Sequence, residues 1–474
     1  MLQTYIQQPP PPPPPDVRRG IAVAVVERYP VPPDDVIEDI FAWLPAKAVC
    51  RFRCLSRTWA ARLVSDDFAD RHFLVANGHG GPRILLMEKS NSYDKCEKLQ
   101  RWSPENPRGS TLVPLCHSVQ GHVMDIFISM PVTQQCRGLF IVQAKTPRAY
   151  WVLNPSTGQI AELPKSPAMD RGKHTRLGLA YDSSTRKHIV VCIFYCGHPG
   201  RNPGFNGCEV YVINSTARQW RSVDGCSHEK QMSWIHGNKE SVFAQRHVHW
   251  LAQRKYSSYW EETFVFSFSL EDETFRTMPL PPLEIGRNRR YQRLTALCGQ
   301  LCLFSTDLDN GFMCARRYDV WLLRMHDTCA WDLHRRIDVD TLPPKVASFM
   351  RYGHQINMLG NTDEGRDIIL LRLAPWSKPS FTLCSYDPVT NDMEILTEDG
   401  GLVSNRNMIS GHAALYEDSI ASPGQPLTTF VGHCGPSGRG NKARKAAHVG
   451  VARPSRPMRK KRPPGWLANG DWAQ

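Results

Sequence analysis

One pattern recurs along the middle of this chain: an alternating apolar strand, a polar turn, and a second strand that ends near Leu-Pro or Leu. It is found at residues 149–164, 208–223, 263–281 and 381–396. Strict apolar and polar alternation around a turn predicts a β-hairpin in each segment. A second hairpin-like pair precedes most of them, at residues 136–143, 176–195, 241–253 and 294–307. Each unit is therefore expected to hold four strands.

Four-stranded units that repeat every roughly 40 to 60 residues predict a β-propeller, because one blade cannot bury both of its faces and must stack on its neighbours. Five units extend from Cys136 to Leu396. A sixth is predicted from residues 83–88 and 98–102 together with HAALYEDSI at 412–420, so that the end of the chain closes the ring and covers the sheet edges. The expected fold class is α+β multidomain: a small three-helix module, an all-β propeller of about six blades, and disordered termini.

The helical module is predicted at residues 31–75, where apolar residues recur at helical spacing in three short runs. The runs contain Val36, Ile37, Ile40, Phe41 and Leu44, then Val49 and Phe52, then Leu55, Trp59 and Leu63. Asp34 is expected to cap the first helix and Ser56 the third, and Pro45 ends the first. Three apolar faces are more than about forty residues can bury, so we expect a partner to cover the surplus.

The segment PPDDVIEDIFAWLPAKAVCRFRCLSRTW resembles the F-box. The resemblance implies a receptor subunit of a Skp-cullin-F-box ubiquitin ligase, which binds a Skp-type adaptor and, through it, a cullin-RING ligase. The adaptor-facing positions of the family correspond to Pro33, Ile37, Ile40, Leu44, Pro45, Val49, Leu55 and Trp59. The family usually opens with Leu-Pro, whereas this chain has Pro32-Pro33. A helix-turn-helix DNA module is the alternative, but the third helix offers Trp and Leu rather than a row of base-reading side chains.

The repeated hairpins resemble the F-box-associated β-propeller domains of plants. Their NPxT and LP signatures correspond to Asn154-Pro155-Ser156-Thr157 and Leu163-Pro164, and more loosely to Asp387-Pro388-Val389-Thr390. Kelch and WD repeats are disfavoured because neither a Gly-Gly pair nor a Trp-Asp pair recurs in each blade. The expected domains are a disordered Pro-rich leader at 1–30, an F-box at 31–75, a propeller at 83–420 and a disordered basic tail at 421–474.

The positive charge of the chain is concentrated in that tail. The formal net charge is +13, and residues 434–463 hold ten Lys and Arg with no Asp or Glu, which leaves a net charge of three for the remainder. The folded body is therefore not expected to bind nucleic acid. A basic cluster in the tail has the composition of a nuclear-import signal or an anion-binding patch; it contains Arg456, Arg459, Lys460, Lys461 and Arg462.

Sequence signals for catalysis are sparse. The sequence contains no Gly-rich phosphate loop, GxSxG or HExxH motif, and His247 and His249 have no Cys or carboxylate nearby at ligand spacing. We expect no catalytic residue, no metal and no cofactor, and an unknown protein as the target. With no long apolar run and no signal-peptide pattern, the chain is expected in the nucleus or cytoplasm, not at a membrane. Two alternatives stay open: a nuclear nucleic-acid binder that uses the tail, and a propeller enzyme with a carboxylate site.

Overall fold

A computed structural model describes residues 32–78 and 83–424. Internal gaps in the description fall at 91–94, 104–105, 115, 120–121, 126–127, 145–148, 171–173, 197–203, 224–234, 236–239, 256–260, 283–289, 298, 309–314, 345–346, 348–353, 364–365, 376–381, 388, 391 and 397–407. The predicted leader at 1–30, the tail beyond 424 and its basic cluster at 456–462 lie outside the described residues.

Helices come first in the described chain. They are α1 (Asp34–Trp43), α2 (Ala46–Phe52), α3 (Arg57–Arg62) and α4 (Asp66–Asn77). Ser56 caps α3 as predicted, since its Oγ accepts the backbone N–H of Trp59 at 3.1 Å. The predicted cap of α1 is wrong by one position: Pro33 occupies the N-cap position, and Asp34 lies in the first turn, where its charge favours the helix dipole. Helix α4 was not predicted as a separate element.

The four helices share one small core. Its buried members are Phe41, Ala42, Ala46, Val49, Leu63, Phe68 and, from the far end of the chain, Ile420. The Phe41 ring stacks on Phe52 and meets Trp59 edge to face, with ring centroids 5.1 Å apart in both pairs. These aromatic contacts hold α1, α2 and α3 together.

The rest of the described chain is almost entirely β. Its strands are β1 (Ile84–Ser90), β2 (Lys95–Ser103), β3 (Asn106–Pro114), β4 (Cys116–Val119), β5 (His122–Asp125), β6 (Ile128–Pro131), β7 (Phe140–Ala144), β8 (Ala149–Asn154), β9 (Gln159–Glu162), β10 (His174–Asp182), β11 (Lys187–Cys196), β12 (Gly204–Val212) and β13 (Arg221–Val223). They continue as β14 (Val242–Ala244), β15 (His247–Lys255), β16 (Glu261–Ser269), β17 (Phe275–Pro279), β18 (Arg290–Leu297), β19 (Gln300–Leu308), β20 (Ala315–Met325), β21 (Ala330–Asp338), β22 (His354–Asp363), β23 (Arg366–Pro375), β24 (Thr382–Asp387), β25 (Asp392–Ile395) and β26 (Met408–Leu415). A one-turn helix, α5 (Pro167–Asp170), lies between β9 and β10.

Six four-stranded antiparallel sheets form the blades. In order they are β26-β1-β2-β3, β6-β7-β8-β9, β10-β11-β12-β13, β14-β15-β16-β17, β18-β19-β20-β21 and β22-β23-β24-β25, called blades 1 to 6 below, with β4 and β5 as a separate pair. Each blade contacts the next, and blade 6 contacts blade 1 through β22 and β26. The predicted all-β propeller of about six blades is confirmed.

Ring closure occurs where it was predicted. Strand β26 pairs with β1 in antiparallel register, with Leu415 opposite Ile84 and Ala413 opposite Leu86. The backbone N–H of Tyr416 adds one more bond, to the Arg83 carbonyl at 2.8 Å. The strand is shorter than HAALYEDSI, however: it ends at Leu415, and residues 416–422 leave the sheet as a segment called the strap below. The first and last parts of the propeller therefore share one blade.

A proline near the end of a blade, after Leu163 in blade 2 and after Met278 in blade 4, marks a junction between blades. Trp220 of blade 3 donates its indole N–H to the carbonyl of Pro164, 2.7 Å away, at the end of blade 2. Trp331 of blade 5 makes the corresponding bond to the carbonyl of Pro279 in blade 4, at 3.0 Å. A proline carbonyl that ends one blade thus accepts a bond from the next blade.

Candidate functional site

The helical module leaves part of its apolar surface exposed. Ile40 on α1 is 52% exposed and Leu55, in the turn before α3, is 59% exposed, although both are aliphatic. Further exposed apolar side chains are Val36, Trp43 and Val64. A module that already has its own buried core does not need these exposed side chains for its own stability, and exposed apolar side chains are typical of an interface.

The eight adaptor-facing positions taken from the family fall into three groups. Pro33, Ile40, Pro45 and Leu55 are exposed; Ile37, Leu44 and Trp59 are half-buried against the core; and Val49 is fully buried. Val49 packs inside the module in this structure. Ile40 and Leu55 are the exposed aliphatic residues among the eight positions, and the candidate surface that carries them is called the docking surface below.

Acidic side chains of α4 attach the helical module to the propeller through ion pairs. Asp66 pairs with Lys187 at 3.1 Å, and Asp67 pairs with Arg186, in the turn between β10 and β11. Asp70 receives three donors: Arg137 at 2.5 Å, the Tyr181 hydroxyl at 2.6 Å and Arg186 Nε at 3.4 Å. Unlike the exposed Asp67, Asp70 lies largely inside the interface, so we expect it to contribute most of the electrostatic attachment.

Arg137 is the central residue of this attachment. Its guanidinium lies 4.3 Å from the ring centroid of Phe73 on α4 and 4.3 Å from that of Tyr181 on β10. It therefore combines a carboxylate partner with two aromatic faces, an arrangement that a planar guanidinium suits better than an ammonium. Its backbone is left-handed, at φ 46°, in the loop between β6 and β7.

The strap binds the propeller through the turn between β8 and β9. Asn154 Oδ1 accepts the backbone N–H groups of Ser156 and Thr157, at 2.8 and 3.2 Å, which forms an Asx turn. The amide nitrogen of Asn154 donates to the carbonyls of Ser419 and Ala421, at 2.9 and 2.7 Å. The Asn-Pro-Ser-Thr signature therefore shapes a hairpin and holds the strap.

Other propeller residues also bond to the strap, among them Gln135 and Asn214. Ser156 Oγ accepts the backbone N–H of Ser419 at 3.1 Å. The backbone N–H of Gly138 donates to Glu417 Oε2 at 2.8 Å. Gly138 has φ 84°, and a Cβ there would lie 2.1 Å from the Ser419 Cβ, so both its conformation and the close approach of the strap require glycine.

The strap also binds the helical module. Asn77, at the end of α4, donates to the Asp418 carbonyl and accepts the Asp418 backbone N–H, both at 2.8 Å. The Asp418 carboxylate accepts the backbone N–H of Ala46, the first residue of α2, with both oxygens at 3.3 Å. Ile420 lies in the helical core and is 5% exposed. One short segment thus joins the two domains.

A cavity of about 310 Å³ lies between strand β26, the strap and the first strands of blades 4 and 5. Two carboxylates, those of Glu240 and Glu417, line this cavity. Glu240 pairs with Arg293 at 3.3 Å, and Glu417 is held by Gly138. Burial raises the pKa of Glu417 above its usual value. Both carboxylates are thus engaged in structural contacts, which does not favour an acid pair poised for chemistry.

The histidine pair expected to lack metal partners has a third neighbour. His247 stacks on His326 with ring centroids 3.5 Å apart, and His249 donates to or accepts from Ser267 Oγ at 2.6 Å. Burial, with His326 and His247 nearby, lowers the pKa of His249 to about 3. Within the described ranges, no group of three or more His, Cys, Asp or Glu residues is arranged to hold a metal ion. No described helix is long and apolar enough to cross a membrane.

Cysteines in the described strands pack as small hydrophobic residues. Cys192 and Cys302 are fully buried free thiols, and burial raises the pKa of Cys192 to about 12. A thiol with so high a pKa is a poor nucleophile at neutral pH.

Sequence reasoning missed the residues that join the domains. The polar composition of α4 concealed the fact that one helix carries Asp66, Asp67 and Asp70. In the strap, the consecutive acids Glu417 and Asp418 interrupt the strand pattern of HAALYEDSI, and this break is the signal that marks the end of β26.

Comparison with known proteins supports the two-domain organisation. The model of the F-box domain matches residues 33–70, and that of the F-box associated beta propeller domain matches residues 84–414. A relative from Arabidopsis thaliana that carries the name of an F-box protein is 26% identical over 395 residues, which cover 80% of this chain and 90% of the relative.

Two further Arabidopsis thaliana relatives are more distant or shorter in their match. One named as an F-box/kelch-repeat protein is 23% identical over 63% of this chain and 70% of its own length, and another F-box protein is 26% identical over 64% of this chain and 77% of its own length. F-box proteins with a propeller are substrate-recognition proteins typical of Skp-cullin-F-box ligases, and such families are generally non-enzymatic. The chain belongs to the F-box proteins that carry an F-box associated β-propeller domain.

Proposed function

We propose that this protein is the substrate-recognition subunit of a Skp-cullin-F-box ubiquitin ligase. Its F-box docks on a Skp-type adaptor, its propeller captures a target protein, and a ubiquitin-conjugating enzyme recruited by the ligase modifies the target. The observation that carries the proposal is the docking surface, where Ile40 and Leu55 are more than half exposed beside a complete helical core. Catalysis belongs to the partners, and the place of action is the nucleus or cytoplasm.

The position of the F-box on the propeller suggests which face of the propeller binds the target. The module contacts the connections between the first and second strands of blades 2 and 3, through Arg137 and Arg186. In antiparallel blades, the connections between second and third strands leave from the opposite face. We propose that the target binds at this opposite face, since surface loops at one face of a rigid scaffold typically serve recognition.

The adaptor interaction is tested by replacing Ile40 with Asp. A charge placed in an apolar interface costs about 3 kcal/mol or more, so the affinity for a purified Skp-type adaptor should fall by about 100-fold or more, measured by calorimetry. Because Ile40 is half exposed, the fold should survive, which circular dichroism checks.

The matched control is Val389→Asp, since Val389 is 80% exposed and lies on a hairpin turn of blade 6, in the propeller. It introduces the same charge away from the docking surface and should leave adaptor affinity unchanged. Equal affinity of Ile40→Asp and the unaltered protein would show that the docking surface is elsewhere.

The second half of the function is tested in cells. Affinity capture of the full chain with the proteasome inhibited should recover the adaptor, the cullin and a target that bears ubiquitin. The Ile40→Asp variant should recover the target without the ligase subunits. Loss of the target together with the adaptor would contradict separate binding of the two by separate domains.

A further inference from the structure

The docking surface rests on a helix that the far end of the chain completes. Helix α2 has Pro45 at its N-cap position, and proline offers no side-chain oxygen for the free N–H groups of the first turn. Asp418 supplies the acceptor instead, with both carboxylate oxygens 3.3 Å from the backbone N of Ala46. The helix is thus capped by a residue 372 positions away in the sequence.

The same segment completes the core beneath the docking surface. Ile420 is buried with Phe41 and Val49, and Phe41 in turn stacks against Phe52 at the end of α2. Helix α2 leads directly into the turn that carries Leu55. A shift of α2 therefore displaces half of the docking surface relative to Ile40 on α1.

Contacts with the propeller help to fix the position of these strap residues. The strap follows β26 without a break, and β26 is the strand that closes the ring. Its backbone is held by Asn154 in blade 2 and by Ser156 in the same turn. Closure of the ring therefore brings Asp418 and Ile420 beside the helical module, where Asn77 also holds Asp418.

We propose that Asp418 and Ile420 are positioning residues of the adaptor-docking surface, and that they couple closure of the propeller to adaptor binding. An F-box on an incomplete or opened propeller then lacks its helix cap and part of its core, and binds the adaptor weakly. The ligase consequently acts only with a receptor whose target-binding domain is assembled. This coupling rests on the proposed function.

The chain offers a matched pair of variants to test the coupling. Asn154 and Asp387 form the same Asx turn in blades 2 and 6: Asp387 Oδ1 accepts the backbone N–H groups of Val389 and Thr390, at 2.8 and 3.3 Å. Asn154 also donates to the strap, which a carboxylate does not do. Asn154→Asp therefore keeps the turn and removes the two bonds that the Asn154 amide donates to the strap. Asp387→Asn makes the reverse change in a turn where, among the described residues, the strap makes no contact.

Two measurements on the full chain follow the effect: hydrogen exchange of the α2 amides, and the affinity for a recombinant Skp-type adaptor. Asn154→Asp should accelerate α2 exchange about fivefold or more and weaken adaptor binding by a similar factor, as expected when a helix cap is lost. Asp387→Asn should change neither. Because Asn154 does not touch the module, a purely local role in blade 2 would leave both readouts unchanged.

A second pair keeps the test decisive if Asn154→Asp fails to fold. Asp418→Ala should produce the same two effects, and Asp418→Asn should restore both within about twofold, since Asn caps helices as well as Asp does. Equal exchange and equal affinity in Asp418→Ala and Asp418→Asn overturn the proposal. Faster exchange without weaker binding overturns the positioning role. If the unaltered protein does not bind the adaptor, the proposed function fails, and exchange of α2 still decides whether the strap controls the helix.

Discussion

Asp70 provides the sharpest test of how the F-box is attached to the propeller. Its carboxylate is 29% exposed and receives Arg137, Tyr181 and Arg186. Asp70→Asn keeps the size of the side chain and an acceptor for Tyr181, but removes the charge that faces both arginines. Hydrogen bonds to charged groups contribute about 1.5–3 kcal/mol each, and partial exposure reduces this, so we expect a loss of about 1–2 kcal/mol in the free energy of detaching α4.

Native-state hydrogen exchange of the α4 amides measures this loss, because it reports local opening without requiring the whole protein to unfold as one unit. A loss of about 1–2 kcal/mol corresponds to exchange about 5 to 30 times faster. Asp67→Asn is the control, since Asp67 is 80% exposed and should change exchange by less than about twofold. If Asp70→Asn accelerates α4 exchange no more than Asp67→Asn does, the attachment does not depend on the Asp70 carboxylate.

Three further predictions concern the propeller. Ala413→Asp places a charge at a buried position of β26, 4% exposed, and should prevent ring closure, which size-exclusion chromatography detects as aggregation. Burial lowers the pKa of His188 to about 4 and that of His249 to about 3. Below about pH 6.5 the unfolded chain therefore binds more protons than the folded chain does. The free energy of unfolding should be at its full value above that pH and fall by about 2 kcal/mol per histidine on acidification to pH 5, which a lower melting temperature would show. Gly138→Ala combines left-handed strain with a clash against Ser419 and should cost at least about 1–2 kcal/mol, with loss of exchange protection in the strap as the readout.

Much of the propeller could be read from sequence because its hairpins are locally encoded. The segment AYWVLNPSTGQIAELP contains both strands and the turn, so its register follows from alternation and from the Asn154 side chain. Strand β21 was not recognised, since Arg and Asp residues replace the apolar alternation along the outer edge of blade 5. Edge strands face solvent and lose the pattern on which sequence reading depends.

The docking surface was only partly predictable for a different reason. Helical spacing places Val49 and Ile40 among the apolar residues of the module, but it does not show which of them the module buries for itself. That choice depends on Phe68 from α4 and Ile420 from the strap, which are close only in the folded chain. Contacts between residues hundreds of positions apart, such as Ala46 with Asp418, leave no local pattern in the sequence.

The pairing of β1 with β26 also means that the ring cannot close until the end of the propeller has been synthesised. Ile84 and Leu415 are partners across about 330 residues, and at roughly 5 to 20 residues per second a ribosome takes about 15 to 65 s to deliver the second after the first. Throughout that interval β1 has an open edge that can pair with another nascent chain. We therefore expect chaperones that shield strand edges to raise the yield of folded protein more than any change to the F-box does.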